Sequence, residues 1–157
     1  MEPVRIIGQE LLDGVTREAK AAPRLRKNLN LHSGDDACCH RLFNAMEPDS
    51  YIPPHCHLGP EKDETILVVR GRLGVIFFDD RGGVREKAIL LPGGHLFGVH
   101  IPQGEFHTFV SLQSGTVFFE SKAGPYRPLS AEEKAPWAPG EGSADAAAYL
   151  ASLRKLW

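Results

Sequence analysis

The sequence contains no hydrophobic run approaching the roughly 20 apolar residues that a membrane-spanning helix needs. It has no polybasic stretch, and its 18 Lys and Arg nearly balance 20 Asp and Glu, a formal net charge of −2. Nothing in that balance draws the chain toward nucleic acid. Cysteine is scarce: Cys38, Cys39 and Cys56 are an odd number with two adjacent, a poor disulfide framework. The opening MEPVRIIGQELLDGV lacks the apolar core of about 7–15 residues found in a secretory signal. These absences lead us to expect a reduced, cytoplasmic, soluble protein without nucleic-acid or membrane partners.

What is present bounds the fold. At 157 residues the chain has room for about one domain, expected to span 1–157. Its 42% hydrophobic and 24% charged residues exclude a disordered chain. Sixteen glycines and 12 prolines imply many short elements joined by turns. Ile7, Leu11, Leu12, Val15 and Ala19 lie at helical spacing, so a helix is expected over 6–21, inside an N-terminal segment 1–23 that ends at Pro23. Residues 24–36 read as irregular. Short extended segments follow over 37–122: 38–46, 50–57, 64–70, 72–79, 84–91, 96–102, 106–112 and 115–122. Turn signals separate them, which points to an all-β sandwich or barrel. Residues 123–157 should wrap the surface and then form a short helix over 144–155, capped by Ser143.

The seven histidines carry the chemistry. Extended chain alternates its side chains, so His55 and His57 face one side and Cys56 the other, as a small buried hydrophobe. His107 follows the turn Pro102-Gln-Gly104 on a distant strand, and Glu64 opens the strand after the first pair. Three imidazoles and a carboxylate suit one divalent first-row metal: Fe, Mn, Ni, Zn or Cu. Glu61 is the rival carboxylate, but it follows the Gly59-Pro60 turn signal. A strand holds a ligand more rigidly than a loop, so Glu64 is chosen. His95 reads as a loop residue, and His100 faces away from its apolar neighbours. His32 reads as a loop hydrogen-bonding residue, with reach of the cavity mouth as the alternative, and His40 as intermediate between site and surface. Glu132 and Glu133 read as solvated turn charges, and Tyr126 and Trp137 as packing anchors, with a sugar-binding role the alternative for Tyr126. Arg41, Asn44 and Glu120 lie either on a solvated face or on a cavity wall.

At these residues the sequence resembles the cupin superfamily. His55-x-His57-x6-Glu64-x6-Gly71 corresponds to its first motif, with a longer His-to-Glu gap and Ser50 at the leading glycine. Gly98-x3-Pro102-x-Gly104-x2-His107-x3-Ser111 corresponds to its second, with a shorter first gap and Ser111 for asparagine. A closer resemblance is to the WbuC-type cupin-fold metalloproteins of bacterial O-antigen and other surface-polysaccharide genes. It rests on Asn30-Leu31-His32, Arg41-Leu-Phe-Asn44-Ala45, Ser50-Tyr51-Ile52-x2-His55-x-His57, Lys62-Asp63-Glu64, Glu120-Ser-Lys-Ala-Gly124-Pro125-Tyr126 and Trp137-Ala138-Pro139-x-Glu141-Gly142.

The resemblance implies a cupin-type antiparallel β-barrel, or jelly roll, with a helix at each end. It implies a metal held by His55, His57, Glu64 and His107, and it names no substrate. The leading functional expectation is an enzyme acting on a small polar or sugar-derived ligand in surface-polysaccharide metabolism. A non-catalytic metal- or sugar-binding module, favoured by the lack of an obvious acid–base pair, and an iron-dependent oxygenase stay open beside it. A metal-free sugar epimerase would leave the ligand quartet unexplained. A homodimer is expected, with Leu67 and Val69 among the residues it covers.

Overall fold

The computed structural model describes residues 3–157. Helix α1 (Gln9–Ala21) leads into strands β1 (Arg26–Asn30), β2 (Cys39–Met46), β3 (Glu64–Arg70), β4 (Leu73–Phe78), β5 (Val84–Leu90), β6 (Gly98–Ile101), β7 (His107–Ser111) and β8 (Thr116–Ala123). Helix α2 (Ala146–Arg154) closes the chain. All pairings are antiparallel, in a five-stranded sheet of order β1-β2-β8-β3-β6 and a three-stranded sheet of order β5-β4-β7. The architecture is the expected two-sheet antiparallel jelly roll with a helix at each end.

Alternation assigns each residue to a layer. Ile66, Val68, Leu73, Val75, Leu90, Phe109 and Phe118 meet between the sheets. On the outer face of the large sheet, Phe43, Ala45 and Val117 pack under Leu12, Val15 and Ala19 of α1. On the outer face of the small sheet, Ile76, Phe78 and Val110 pack under Leu150 and Leu153 of α2. Each helix is therefore held by one apolar stripe against one sheet.

Four local expectations are corrected. Residues 26–30, read as irregular, form β1, an edge strand whose partner is β2. Its Arg26, Asn28 and Asn30 lack the apolar alternation that marks a strand because their side is the wall of a cavity. Residues 50–57, read as a strand, form no regular strand; His55 alone makes isolated bridges, to His107 and to Lys134. The hydrogen bonds there come from two places, His107 on β7 and the C-terminal segment, where Cys56 N–H donates to Glu133 O and Ala135 N–H to Pro54 O. Helix α2 starts at Ala146 after Asp145, with no side-chain cap, so Ser143 does not serve as one. Glu133 is not a free turn charge: its carboxylate accepts the N–H of Leu58 at 2.9 Å and of Ser130 at 2.8 Å. Those two bonds hold its carboxyl below the usual carboxylate range.

Candidate metal centre

The site assembles from three places in the chain. His107 enters on β7 after a turn in which Gly104 adopts φ +83°, and the Gly104 N–H donates to His57 O at 2.8 Å. That bond ties the His107 hairpin to the segment carrying the other two histidines. His55 and His107 exchange backbone hydrogen bonds at 3.1 and 2.9 Å, which aligns their side chains. Glu64 is the first residue of β3. Gly71, at the other end of β3, turns the chain with φ +80°, and a side chain there would meet Thr116 Oγ1 at 2.5 Å.

The three imidazoles converge. Their ring centroids lie 4.7 Å apart for His55–His107, 5.1 Å for His55–His57 and 6.1 Å for His57–His107. One nitrogen from each lies within 4.8 Å of the others, a set that could hold a metal ion. His55 Nδ1 faces Pro53 O at 3.0 Å and His107 Nδ1 faces Glu105 O at 2.8 Å. A backbone carbonyl can only accept, so each Nδ1 carries the proton and each Nε2 presents its lone pair. The Nε2 atoms of His57 and His107 are buried and face no polar group but the Glu64 carboxylate. Imidazole lone pairs and a carboxylate converging in a buried space repel one another, and a coordinated cation satisfies both. The donor set therefore fits a metal.

Glu64 stands beside the cluster, 3% exposed. Its carboxylate oxygens are 3.0 Å from His57 Nε2 and 3.3 Å from His107 Nε2. Burial would raise its pKa, but His107, His57 and Lys122 hold it well below the usual range. Burial and the neighbouring His107 push the His55 imidazole down to about 3, so His55 is neutral at pH 7. Glu61 is exposed in a turn with φ +57°.

Behind Glu64 runs a chain of polar groups. Lys122 Nζ lies 2.9 Å from Glu64 Oε1 and 2.6 Å from Glu120 Oε1, and Asn44 Nδ2 donates to Glu120 Oε2 at 2.6 Å. Burial would lower the Lys122 pKa, but Glu120 and Glu64 outweigh it and raise it. Burial, chiefly, pushes the Glu120 carboxyl up. These groups line a cavity of about 440 Å³ that His55 and Glu64 also line.

The other singled-out residues divide. Asn44 and Glu120 are on the cavity wall, whereas Arg41 is exposed. His32 and His40 stack with centroids 4.0 Å apart and also line the cavity, His32 bonding the Arg41 backbone. Tyr126 lines it too but is 54% exposed, so it is no packing anchor, whereas Trp137 packs on Phe78. His95 and His100 are exposed, and His100 meets Thr65 Oγ1 at 3.1 Å. Cys56 is buried outside the histidine cluster. Lys122, Asn28 and Asn30 were not anticipated; alternation from Glu120 to Lys122 and along Arg26-Lys-Asn28-Leu-Asn30 is the signal that finds them.

Comparisons with known proteins agree with this architecture. The structure is similar to KdgF from Halomonas sp. (TM-score 0.51, 20% identity, 68% of this chain and 84% of that one). It is similar to the conserved SPY1581 protein of unknown function from Streptococcus pyogenes (TM-score 0.53, 8% identity, 81% and 93%). It is also similar to recombinant oxalate oxidase in complex with glycolate (TM-score 0.52, 17% identity, 68% and 55%), so the chain spans about half of that protein. At these identities the likeness is one of fold, and the fold is the cupin jelly roll. No curated protein matches the sequence. One family model does match, over residues 7–90, more than half of the chain and inclusive of His55, His57 and Glu64. The chain thus belongs to the family described as a domain of unknown function, DUF6016.

Proposed function

We propose that this cupin binds one divalent first-row metal ion through His55, His57, His107 and Glu64, and that it is an enzyme acting on a small polar ligand of sugar type. The observation that carries the metal is the convergence of three imidazoles, with the buried Nε2 atoms of His57 and His107 facing only the Glu64 carboxylate. A bound divalent ion would act as a Lewis acid toward a ligand oxygen. The protein's own groups do the rest. Pro53 O and Glu105 O fix the His55 and His107 rings, and Lys122 steadies Glu64 from behind. A carboxylate–ammonium pair that the sequence did not reveal, Glu120 with Lys122, lies beside Glu64. Glu120 is placed to accept a proton from a ligand hydroxyl and the Lys122 ammonium to stabilise the oxygen charge that results, which favours an enzyme over a passive binding module.

The setting proposed is surface-polysaccharide metabolism of the WbuC type, in the cytoplasm; the resemblance supports the first. Three free cysteines, two of them exposed, support the second. Among the described residues no helix is long and apolar enough to cross a membrane. We also propose a homodimer. Leu67 and Val69 on β3 are exposed, as are Leu96 and Phe97 beside edge strand β6, and a second copy would cover this apolar surface. A light-scattering mass of one chain would refute that.

Metal analysis of protein purified without chelator or affinity tag tests the central reading. About one first-row divalent ion per chain is expected. Glu64→Gln should lose it and Glu61→Gln should keep it; the reverse would move the carboxylate ligand into the turn.

A further inference from the structure

The cavity lining is of two kinds. Ile52 and Phe109, with Met46 and Phe118 farther along the large sheet, make its apolar part. Across the large sheet runs a polar stripe. Glu64 on β3 pairs in register with Lys122 on β8, Glu120 is two residues along β8, Asn44 on β2 bonds Glu120, and Asn28 on β1 pairs in register with Asn44. Four strands at about 4.8 Å spacing carry this stripe over roughly 14 Å. Asn28 Nδ2 donates in turn to Asn30 Oδ1 at 2.8 Å.

The stripe has unused capacity. Lys122 has three ammonium hydrogens and spends two, on Glu64 and Glu120. Asn44 and Asn28 each spend one amide hydrogen on a neighbour, which leaves both amide oxygens as acceptors. The space in front, about 440 Å³, greatly exceeds the ~30 Å³ share of a single water. Donors and acceptors alternate along the wall: ammonium, carboxylate, amide, amide. A wall built for a bare anion would offer donors alone, whereas here Glu64 and Glu120 share the space with Arg24, Arg26, Lys27 and Lys122. An apolar ligand would leave the third Lys122 hydrogen and the Asn28 and Asn44 amide oxygens without partners. A hydroxyl group both donates and accepts, so a run of neighbouring hydroxyls matches the alternation. The C–H side of such a molecule matches Phe109, Phe118 and Met46.

We propose that Asn28, Asn44 and Glu120 are specificity-determining residues that read vicinal hydroxyls, and that the ligand is a compact polyhydroxylated molecule: an aldose, an alditol or an aldonate. This deepens the reading given above and rests on it for the metal, which would take one end of the ligand.

Titration calorimetry on the full chain, first loaded with Mn²⁺ or Zn²⁺, tests it. The hydroxylated probes are glucose, sorbitol and gluconate; adipate, with carboxylates and no hydroxyls, is the control. At least one hydroxylated probe should bind and adipate should not. Glu120→Gln, which keeps shape, should weaken that binding by about tenfold or more, the range for a lost hydrogen bond to a charged group. Its metal stoichiometry and circular dichroism should match wild type. Asn28→Ala, farther from Glu64, should weaken binding by about threefold, as for a neutral hydrogen bond. Adipate binding as tightly as the best hydroxylated probe, no hydroxylated probe binding, or Glu120→Gln binding as wild type does would each overturn the proposal. Failure of the metal reading shows separately, as no uptake in the loading step, and the same titrations on unloaded protein then still report on the wall.

Discussion

The two sheets obey the same alternation rule and use it for opposite ends. In the small sheet the inner face of β4 and β5 is apolar, with Leu73, Val75 and Leu90 at 1% exposure or less. In the large sheet the inner face changes character along its strands. Val68, Phe118 and Met46 close the core at one end, while Glu64, Lys122, Glu120 and Asn44 open it to solvent and ligand at the other. One face stabilises the fold. The other spends part of its stabilising area on a polar wall, and the small sheet reaches the site chiefly through His107. Stability and function are thus separable by sheet, and substitutions can test how cleanly.

The largest effect should fall where the sheets meet. His57→Ala should take the metal content from about one per chain to none. Cys56→Ser, one residue away, should keep it while costing about 1–3 kcal/mol for a hydroxyl buried in an apolar layer. Elemental analysis and urea unfolding read the two effects; metal loss in Cys56→Ser would mean that the sulfur reaches the cluster. Next comes the contrast between inner faces. Leu73→Ala should lose about 2–5 kcal/mol in urea unfolding. Asn28→Ala, on the cavity wall, should stay within about 0.5 kcal/mol. A similar cost at both positions would make the wall structural.

A smaller effect is expected from pH. The His55 pKa is depressed to about 3 in the folded chain against an unfolded value of 6.5. The unfolded chain then takes up a proton that the folded chain refuses. Stability from this group is complete above about pH 6.5 and falls as pH drops toward 3. Metal-free protein should therefore lose about 1–2 kcal/mol from this group between pH 7 and pH 5. His55→Asn should flatten that slope; an unchanged slope would assign it to other groups. Another small effect should come at the cavity mouth. Glu141 Oε1 accepts from Arg24 at 2.9 Å and Arg26 at 2.8 Å, and Arg24 is 63% exposed. Glu141→Gln should cost at most about 1 kcal/mol, less at high salt. A cost several times larger would show that the C-terminal wrap depends on this pair.

Legibility in the sequence followed the same division. Strand β3 was read with its observed ends because Thr65-Ile-Leu-Val-Val is dense in β-forming residues. Strand β1 was missed because its inner residues are Arg26, Asn28 and Asn30, polar for the cavity's sake. The 50–57 segment has strand composition but no continuous strand partner, and composition does not report partners. Glu133 looked like a surface charge because its acceptors' partners, Leu58 and Ser130, include a residue 75 positions away.

The sequence alone determined the residue types that could bind a metal, the turns that present them, and the two-sheet class, since these depend on local spacing and periodicity. Only the tertiary structure decided that the three imidazoles meet, that Glu64 and not Glu61 stands beside them, and that Lys122 and Glu120 complete the wall. Those facts depend on which strands pair and in what register, and register is a property of distant segments acting together.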